Sequence, residues 1–382
     1  MTLKVSSRGQ VPPFIVMDVM RAAAERAAGG ADVLHLEVGQ PATGAPQGVI
    51  AAAQTALARD ILGYTDALGI PSLRQAIARH YRDRHGLDLA PERIVVTTGS
   101  SGAFLLAFLA AFDVGDRVGL ATPAYPAYRN ILTALGLRPV PLEAGAAERY
   151  QATLDLVRRT PEPLDGLIVA SPANPTGTML PPSELAAIAR HCEATGIRLI
   201  SDEIYHGITY GVPEATALAS SDEAIVVNSF SKYFSMTGWR LGWMVVPARL
   251  LRAVECLAQN FFISPPALAQ HAAVAAFQCR DELDRNVARY RENRALLLEE
   301  LPKAGFDRLA PSDGAFYIYA DVAHLTNDSQ DFCRRMLADI AVAVTPGVDF
   351  DPARGHGTLR ICFAGSTETM AEAARRLKSW RR

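Results

Sequence analysis

From Ile94 onward, short β-rich runs alternate with helical patterns, and this alternation limits the possible fold more than any other feature of the chain. Residues 94–98, 117–121, 166–170, 198–201, 224–227 and 241–246 read as strands, several of them apolar at both parities, as strands covered on both faces are. The helices between them have readable ends. Segment 71–86 opens on Pro71, carries Leu73, Ala76, Ile77 and Tyr81 on one face, and stops at Gly86. Ser183 is placed to cap a second pattern, Leu185, Ile188 and Ala189, that ends near Gly196. The expectation is an α/β protein whose mainly parallel central sheet is flanked by helices.

At 382 residues the chain exceeds one ordinary core, so a large domain with a smaller companion is expected. The texture changes after Pro265 and Pro266 to a long charged helix over 281–301, followed by short strands near 315–320 and 358–363. With 38 basic against 40 acidic residues, no global field draws the chain to nucleic acid or an anionic membrane. The basic tail (Arg375, Arg376, Lys378, Arg381, Arg382) reads as a last helix whose cations favour its C-terminal dipole and stay solvated. The cysteines stand singly with no metal-ligand spacing, and Cys192 suits a small buried apolar position. Residues 1–10 hold no apolar core of signal-peptide length, and the longest apolar run, 103–112, is too short to span a bilayer. A cytoplasmic protein is expected.

Ligands of open α/β sheets bind beyond the carboxyl ends of the strands, and polar residues gather there. Gly99-Ser100-Ser101-Gly102, Tyr125, Asn174, Asp202 with Tyr205, and Ser229 with Lys232 each follow a different strand. Lys232 is an amine set directly after an apolar strand, with Ser229 just before it and Arg240 eight residues later. An amine becomes a covalent catalyst when it forms a Schiff base, and pyridoxal 5'-phosphate offers both an aldehyde and a dianionic phosphate. Ser229 and Arg240 are the residue types that would clamp such a phosphate. Ser100 and Ser101, at a helix start expected near Ala103, would add a phosphate cradle, although a simple N-cap fits that stretch equally well. Alanine at 103 rules out a Gly-x-Ser-x-Gly hydrolase elbow. Asp202 is either a solvated turn acid or a buried carboxylate that keeps a pyridine nitrogen protonated. Asn174 lies in a turn-forming stretch, and its amide, like the Tyr205 hydroxyl, could donate to a cofactor phenolate. Tyr125 would either stack on a flat ring or pack a loop.

These motifs together resemble the fold-type I, pyridoxal-phosphate-dependent aminotransferases of class I/II over nearly the whole chain. Ser-x-Ser-Lys followed by Met-Thr-Gly-Trp-Arg-x-Gly (229–242) is similar to the family's cofactor-lysine signature. Asn-Pro-Thr-Gly (174–177) and Asp-Glu-Ile-Tyr (202–205) are similar to its two cofactor-ring motifs. Tyr64-x-x-x-x-Gly69 resembles the segment whose tyrosine reaches the partner subunit's phosphate. Arg360 falls where the family keeps the arginine that forks the substrate α-carboxylate, and Gly39 where a backbone glycine lies beside it.

The resemblance implies a large cofactor domain over 46–274 and a small α+β domain from 1–45 and 275–382. It also implies a homodimer with shared active sites, and an amino acid and a 2-oxo acid as substrates. Lys232 would hold the cofactor and then serve as base, with Asp202 and Tyr205 tuning the ring and Asn174 and Arg360 meeting substrate. An ordinary lysine titrates near ~10.4, so the site must depress Lys232 for base work at neutral pH. One branch with dicarboxylate specificity carries a lysine where this chain has Ser101, which counts against aspartate as the dedicated donor; 2-oxoglutarate or pyruvate is the expected acceptor. Two stretches depart from the family pattern near the substrate side, Ala42-Thr-Gly44 and Val348-Asp-Phe-Asp351. A β-eliminating C–S lyase would use the same lysine, aspartate and arginine. A non-catalytic effector-sensing domain would need a DNA-binding module that the residues before Gly39 are too few to form. No Gly-x-Gly-x-x-Gly opens a helix after a strand, which speaks against hydride transfer.

Overall fold

A computed structural model describes residues 3–381; Met1 and Thr2 of the expected N-terminal arm and Arg382 of the basic tail lie outside the described residues. The central sheet is built from β1 (Ile94–Thr97), β2 (Arg117–Thr122), β3 (Arg138–Glu143), β4 (Gly166–Ala170), β5 (Arg198–Asp202), β6 (Ile225–Ser229) and β7 (Gly242–Val245). Their order is β1-β7-β6-β5-β4-β2-β3, with β7 the one strand running against its neighbours. Every residue of β1, β6 and β7 is buried, as the apolar runs predict. Helix Gly99–Ala111 packs across β6 and β7, and helix Pro182–Thr195 buries Cys192 against the core. All the cysteines are free.

A second, antiparallel sheet follows. It contains β8 (Arg308–Leu309), β9 (Tyr317–Asp321), β10 (Thr345–Pro346) and β11 (Thr358–Cys362), in the order β10-β11-β9-β8. The N-terminal segment joins this part through a short parallel pair, Leu34–His35 with Val342–Ala343. The long helix Arg280–Lys303 lies against the last helix, Thr367–Ser379. One contiguous apolar core runs through both sheets, from Val95 and Val226 to Phe316 and Ile361. Among the described residues no helix is long and apolar enough to cross a membrane.

Four local expectations need correction. Strand β3 was not expected, because Pro139 and Pro141 interrupt it; it pairs only with β2, and an edge strand tolerates residues that cannot donate to a ladder. Ser183 is no cap: Pro181 holds that position, Pro182 opens the helix with its preset φ, and Gly196 ends it at φ 75°. Helix Gly99–Ala111 begins at Gly99 rather than near Ala103, so the Gly-Ser-Ser-Gly stretch is its first turn. Arg376 is not solvated; it pairs with Glu372 and Asp32 and donates at 2.7 Å to the Asp32 carbonyl, tying the last helix to the N-terminal segment.

Candidate active site

The carboxyl ends of β1, β4, β5 and β6 open onto a cavity of about 570 Å³, closed on its other side by Tyr317 of β9 and Arg360 of β11. Asp202, the last residue of β5, forms part of its wall. The Ile204 N–H donates to Asp202 Oδ1 at 3.1 Å, and the Tyr128 hydroxyl donates to Oδ2. Burial pushes this carboxyl up to about 6, against the pull of the Tyr128 hydroxyl. It is therefore a buried acid and not a solvated turn residue.

Lys232 projects into the cavity just past the end of β6 and donates from Nζ to the Gly39 carbonyl at 2.7 Å. Burial brings its amine down to about 8, helped by the Arg360 guanidinium. Gly39 is under a steric demand at this point: a Cβ there would lie 1.9 Å from the Tyr317 hydroxyl oxygen. That hydroxyl shares a hydrogen bond of 2.7 Å with the Tyr205 hydroxyl, and burial holds the Tyr205 phenol well above its ordinary range. The Tyr205 ring centroid lies 5.7 Å from Lys232 Nζ. Tyr125 lines the same wall, edge-on to Tyr128 and Phe14.

At one end of the cavity Ser100 and Ser101 sit in the first turn of helix Gly99–Ala111, whose free N–H groups have no side-chain cap. Arg240 lies beside them. A Cβ on Gly99 would fall 2.5 Å from Arg240 Nη2, so only glycine leaves room for the guanidinium here. Ser229 is not among the lining side chains. Its hydroxyl donates at 2.9 Å to that of Ser231, which does line the cavity. A helix N-terminus, hydroxyls and a guanidinium make an anion site.

At the other end Arg360 is buried between two aromatic faces, its guanidinium carbon 4.5 Å from the Tyr317 ring centroid and 4.8 Å from that of Phe350. Nη1 donates to Asn174 Oδ1 at 2.8 Å and Nη2 to the Glu37 carbonyl at 2.5 Å, while Nε has no partner. Such a held, permanently charged fork with an unused donor suits a carboxylate. The cations that line the cavity are Lys232, Arg240 and Arg360. Tyr64 lies outside this chain's own cavity and is 85% exposed.

Sequence reading missed Tyr128, Tyr317 and Ser231, and missed Phe14, Val16 and Met17, which line the cavity from the N-terminal arm. Tyr128 carried a usable signal, being one helical turn beyond Tyr125. Ser231 carried one too, standing directly before Lys232 in the Ser-x-Ser-Lys motif, whereas the rest face the cavity through tertiary contacts alone. Elsewhere the fold brings His85, His206 and Glu214 together, with ligand-type atoms within 4.8 Å of one another. The Glu214 carboxylate is already engaged by an ion pair to Arg84 and by the Gly207 N–H at 2.8 Å.

A strand-end amine, a buried carboxylate, an anion site and a carboxylate fork in one cavity define a class of enzyme, and comparison with known proteins identifies it. The chain belongs to the class I and II aminotransferases, whose family model matches residues 31–377, and it is an enzyme of amino-group transfer. It is 56% identical to the valine–pyruvate aminotransferase of Mycobacterium tuberculosis, covering 100% of this chain and 99% of that protein. The crystal structure of an aminotransferase from Mycobacterium tuberculosis superposes with a TM-score of 0.98 at 56% identity over 99% of both chains. Aspartate aminotransferase from Thermus thermophilus with maleate gives 0.93 at 32% identity, again over 99% of both. The expected family and fold class hold, and the effector-sensing reading gives way to an enzyme.

Proposed function

We propose that this enzyme moves the amino group of valine, or a closely similar branched apolar amino acid, to pyruvate, using pyridoxal 5'-phosphate. The observation that carries the reading is the charge pattern of the cavity: one guanidinium for a phosphate, one for an α-carboxylate, one amine between them, and apolar walls beyond. A distal carboxylate, as in aspartate, meets no further cation among the lining residues, whereas an isopropyl group meets Val16, Met17 and Val38. The identity to the valine–pyruvate enzyme supports the same donor and acceptor. The test is steady-state assay of valine with pyruvate against aspartate with 2-oxoglutarate. The first pair should exceed the second by at least about 100-fold in kcat/KM, the discrimination expected when a charged group is left unpaired. Equal rates would sink the assignment, and ammonia release would point to a lyase.

The cavity's residues fit the cofactor. The uncapped first turn of helix Gly99–Ala111, Ser100, Ser101, Ser231 (backed by Ser229) and Arg240 suit its phosphate. Asp202 suits its ring nitrogen, Tyr205 and Asn174 its phenolate, Tyr125 its ring face, and Lys232 its aldehyde. When bound, pyridoxal 5'-phosphate supplies the carbonyl that takes the amino group and a ring that draws electrons from the α-carbon. Asp202, held by Tyr128 and the Ile204 N–H, would keep the ring nitrogen charged. Arg360 would orient the substrate carboxylate, fixed by its stacking between Tyr317 and Phe350. Lys232 Nζ would then carry the α-proton, its lowered affinity for protons suiting it to work near neutrality.

The sign of a pH dependence follows. Only the neutral amine attacks an aldehyde, and Lys232 gains a proton as pH falls through about 8. Loading of the apo chain with cofactor, followed by absorbance, is therefore expected to slow about tenfold for each pH unit below that midpoint and to be level above it. A midpoint near the ordinary lysine value would show that burial does not tune this amine.

The proposed enzyme is a homodimer in which Tyr64 reaches the partner's phosphate site. Supporting this, Ile61, Tyr64, Phe261 and Ile263 are all more than half exposed, and their two segments are joined by the Thr65 N–H bond to Ser264 Oγ at 3.3 Å. Tyr64→Phe should weaken cofactor binding by roughly tenfold, the worth of one hydrogen bond to a charged acceptor, and leave the dimer intact. Unchanged affinity would remove Tyr64 from the site. The proposed domains remain 46–274 and 1–45 with 275–382; the two sheets fall wholly within the first and second respectively.

A further inference from the structure

The roof of the cavity belongs to neither sheet. Phe14, Val16 and Met17 come from the start of helix Ile15–Ala28, whose own N-cap, Phe14, offers no side-chain acceptor. Its free donors are met from the far end of the chain. The N–H groups of Ile15 and Val16 donate to Oδ1 and Oδ2 of Asp349 at 3.2 and 3.1 Å. A carboxylate in this position satisfies two orphan donors at once and faces the positive end of the helix dipole. Asp349 is fully buried, and its carbonyl accepts from Arg129 Nη2 at 2.6 Å, which fixes its turn against the central sheet's helix Pro126–Leu135. The next residue, Phe350, lies against Arg360 and accepts from the Ala124 N–H at 3.1 Å. One short turn thus holds both the roof and the arginine at the carboxylate end. It is also the Val348–Asp351 stretch that departs from the family pattern.

We infer that Asp349 is a positioning residue for donor specificity, pinning the apolar roof of the cavity at the height that suits a branched side chain. The inference rests on the cavity being the amino-acid site. A pinned roof adds contact to the methyl groups of valine and excludes water from them. Alanine, with a single methyl next to the α-carbon, gains less from it. Loss of the anchor therefore acts on the valine-to-alanine ratio and not on catalysis as a whole.

The test uses the holoenzyme and its half-reaction with valine or alanine as sole donor. Asp349→Ala should lower kcat/KM for valine about tenfold and for alanine by less than about threefold, with the valine loss mainly in KM. Asp349→Asn keeps the shape but turns an NH2 toward the helix donors, and is read the same way if the alanine variant does not fold. Met17→Ala trims the half-exposed edge of the roof without touching the anchor and should shift the ratio in the same direction. Hydrogen exchange at the Ile15 and Val16 amides reads the anchor without substrate: faster exchange is expected in either Asp349 variant and no change in Met17→Ala. Equal losses for both donors, or unchanged exchange, would overturn the inference. If wild-type enzyme does not accept valine, the proposed donor fails on its own, and the exchange result still judges the anchor.

Discussion

Lys232→Ala is expected to lower amino transfer by more than about 10⁴-fold, because in the proposed mechanism one side chain would both hold the cofactor aldehyde and carry the α-proton. The loss should be chemical and not structural. Lys232 Nζ makes a single hydrogen bond, to the Gly39 carbonyl, and its burial works against its own charge. Removing it relieves that desolvation while leaving one backbone acceptor facing an open cavity that water can enter. Thermal unfolding of the variant should therefore match wild type closely, while added pyridoxal 5'-phosphate, which the proposed anion site of Ser100, Ser101 and Arg240 would still hold, should give no turnover. Activity within about tenfold of wild type would remove Lys232 from the reaction and with it the proposed mechanism.

Arg360→Ala should act at the other end of the cavity. Deleting one partner of a buried charge pair costs about 2–5 kcal/mol, so kcat/KM for every α-amino acid should fall roughly 30- to 5,000-fold. Cofactor affinity should stay within about threefold, because Arg360 faces the opposite end of the cavity from Ser100, Ser101 and Arg240, the residues proposed to hold the phosphate. Part of the damage will be indirect. The Asn174 Oδ1 loses its donor, the Glu37 carbonyl keeps only the Thr345 hydroxyl, and the Tyr317 and Phe350 rings lose the plane between them. Arg360→Lys separates the two effects: it restores charge without the fork or the stacking surface, and should recover only a minor share of the loss. Parallel loss of substrate and cofactor binding would mean that Arg360 is a structural post between the sheets.

The central sheet and the residues at its strand ends were legible because the signals are local. An apolar run that breaks into Asp202 or Ser229 marks a strand end, and the family resemblance of 202–205 and 229–242 names what stands there. Where local signals conflicted, the stronger backbone constraint won. Pro181 and Pro182 overruled Ser183 as a helix start, and the prolines of β3 concealed an edge strand. What could not be read was held by residues distant in sequence. The bond between Tyr205 and Tyr317, the seat of Tyr128 beneath Asp202, and the Asp349 carboxylate on the helix at Ile15 exist only once the chain has folded. The charge of Arg376 announced a surface, yet its neighbours Asp32 and Glu372 drew it into contact.

The most direct measurement is a single-turnover absorbance scan of the purified holoenzyme with valine alone and no 2-oxo acid. The predicted result is loss of the cofactor's aldehyde-form band, growth of its amine-form band, and one equivalent of the 2-oxo acid of valine per site, with pyruvate restoring the starting spectrum. An unchanged spectrum with valine and with every other α-amino acid, or ammonia released in step with 2-oxo acid, would contradict amino transfer at this site.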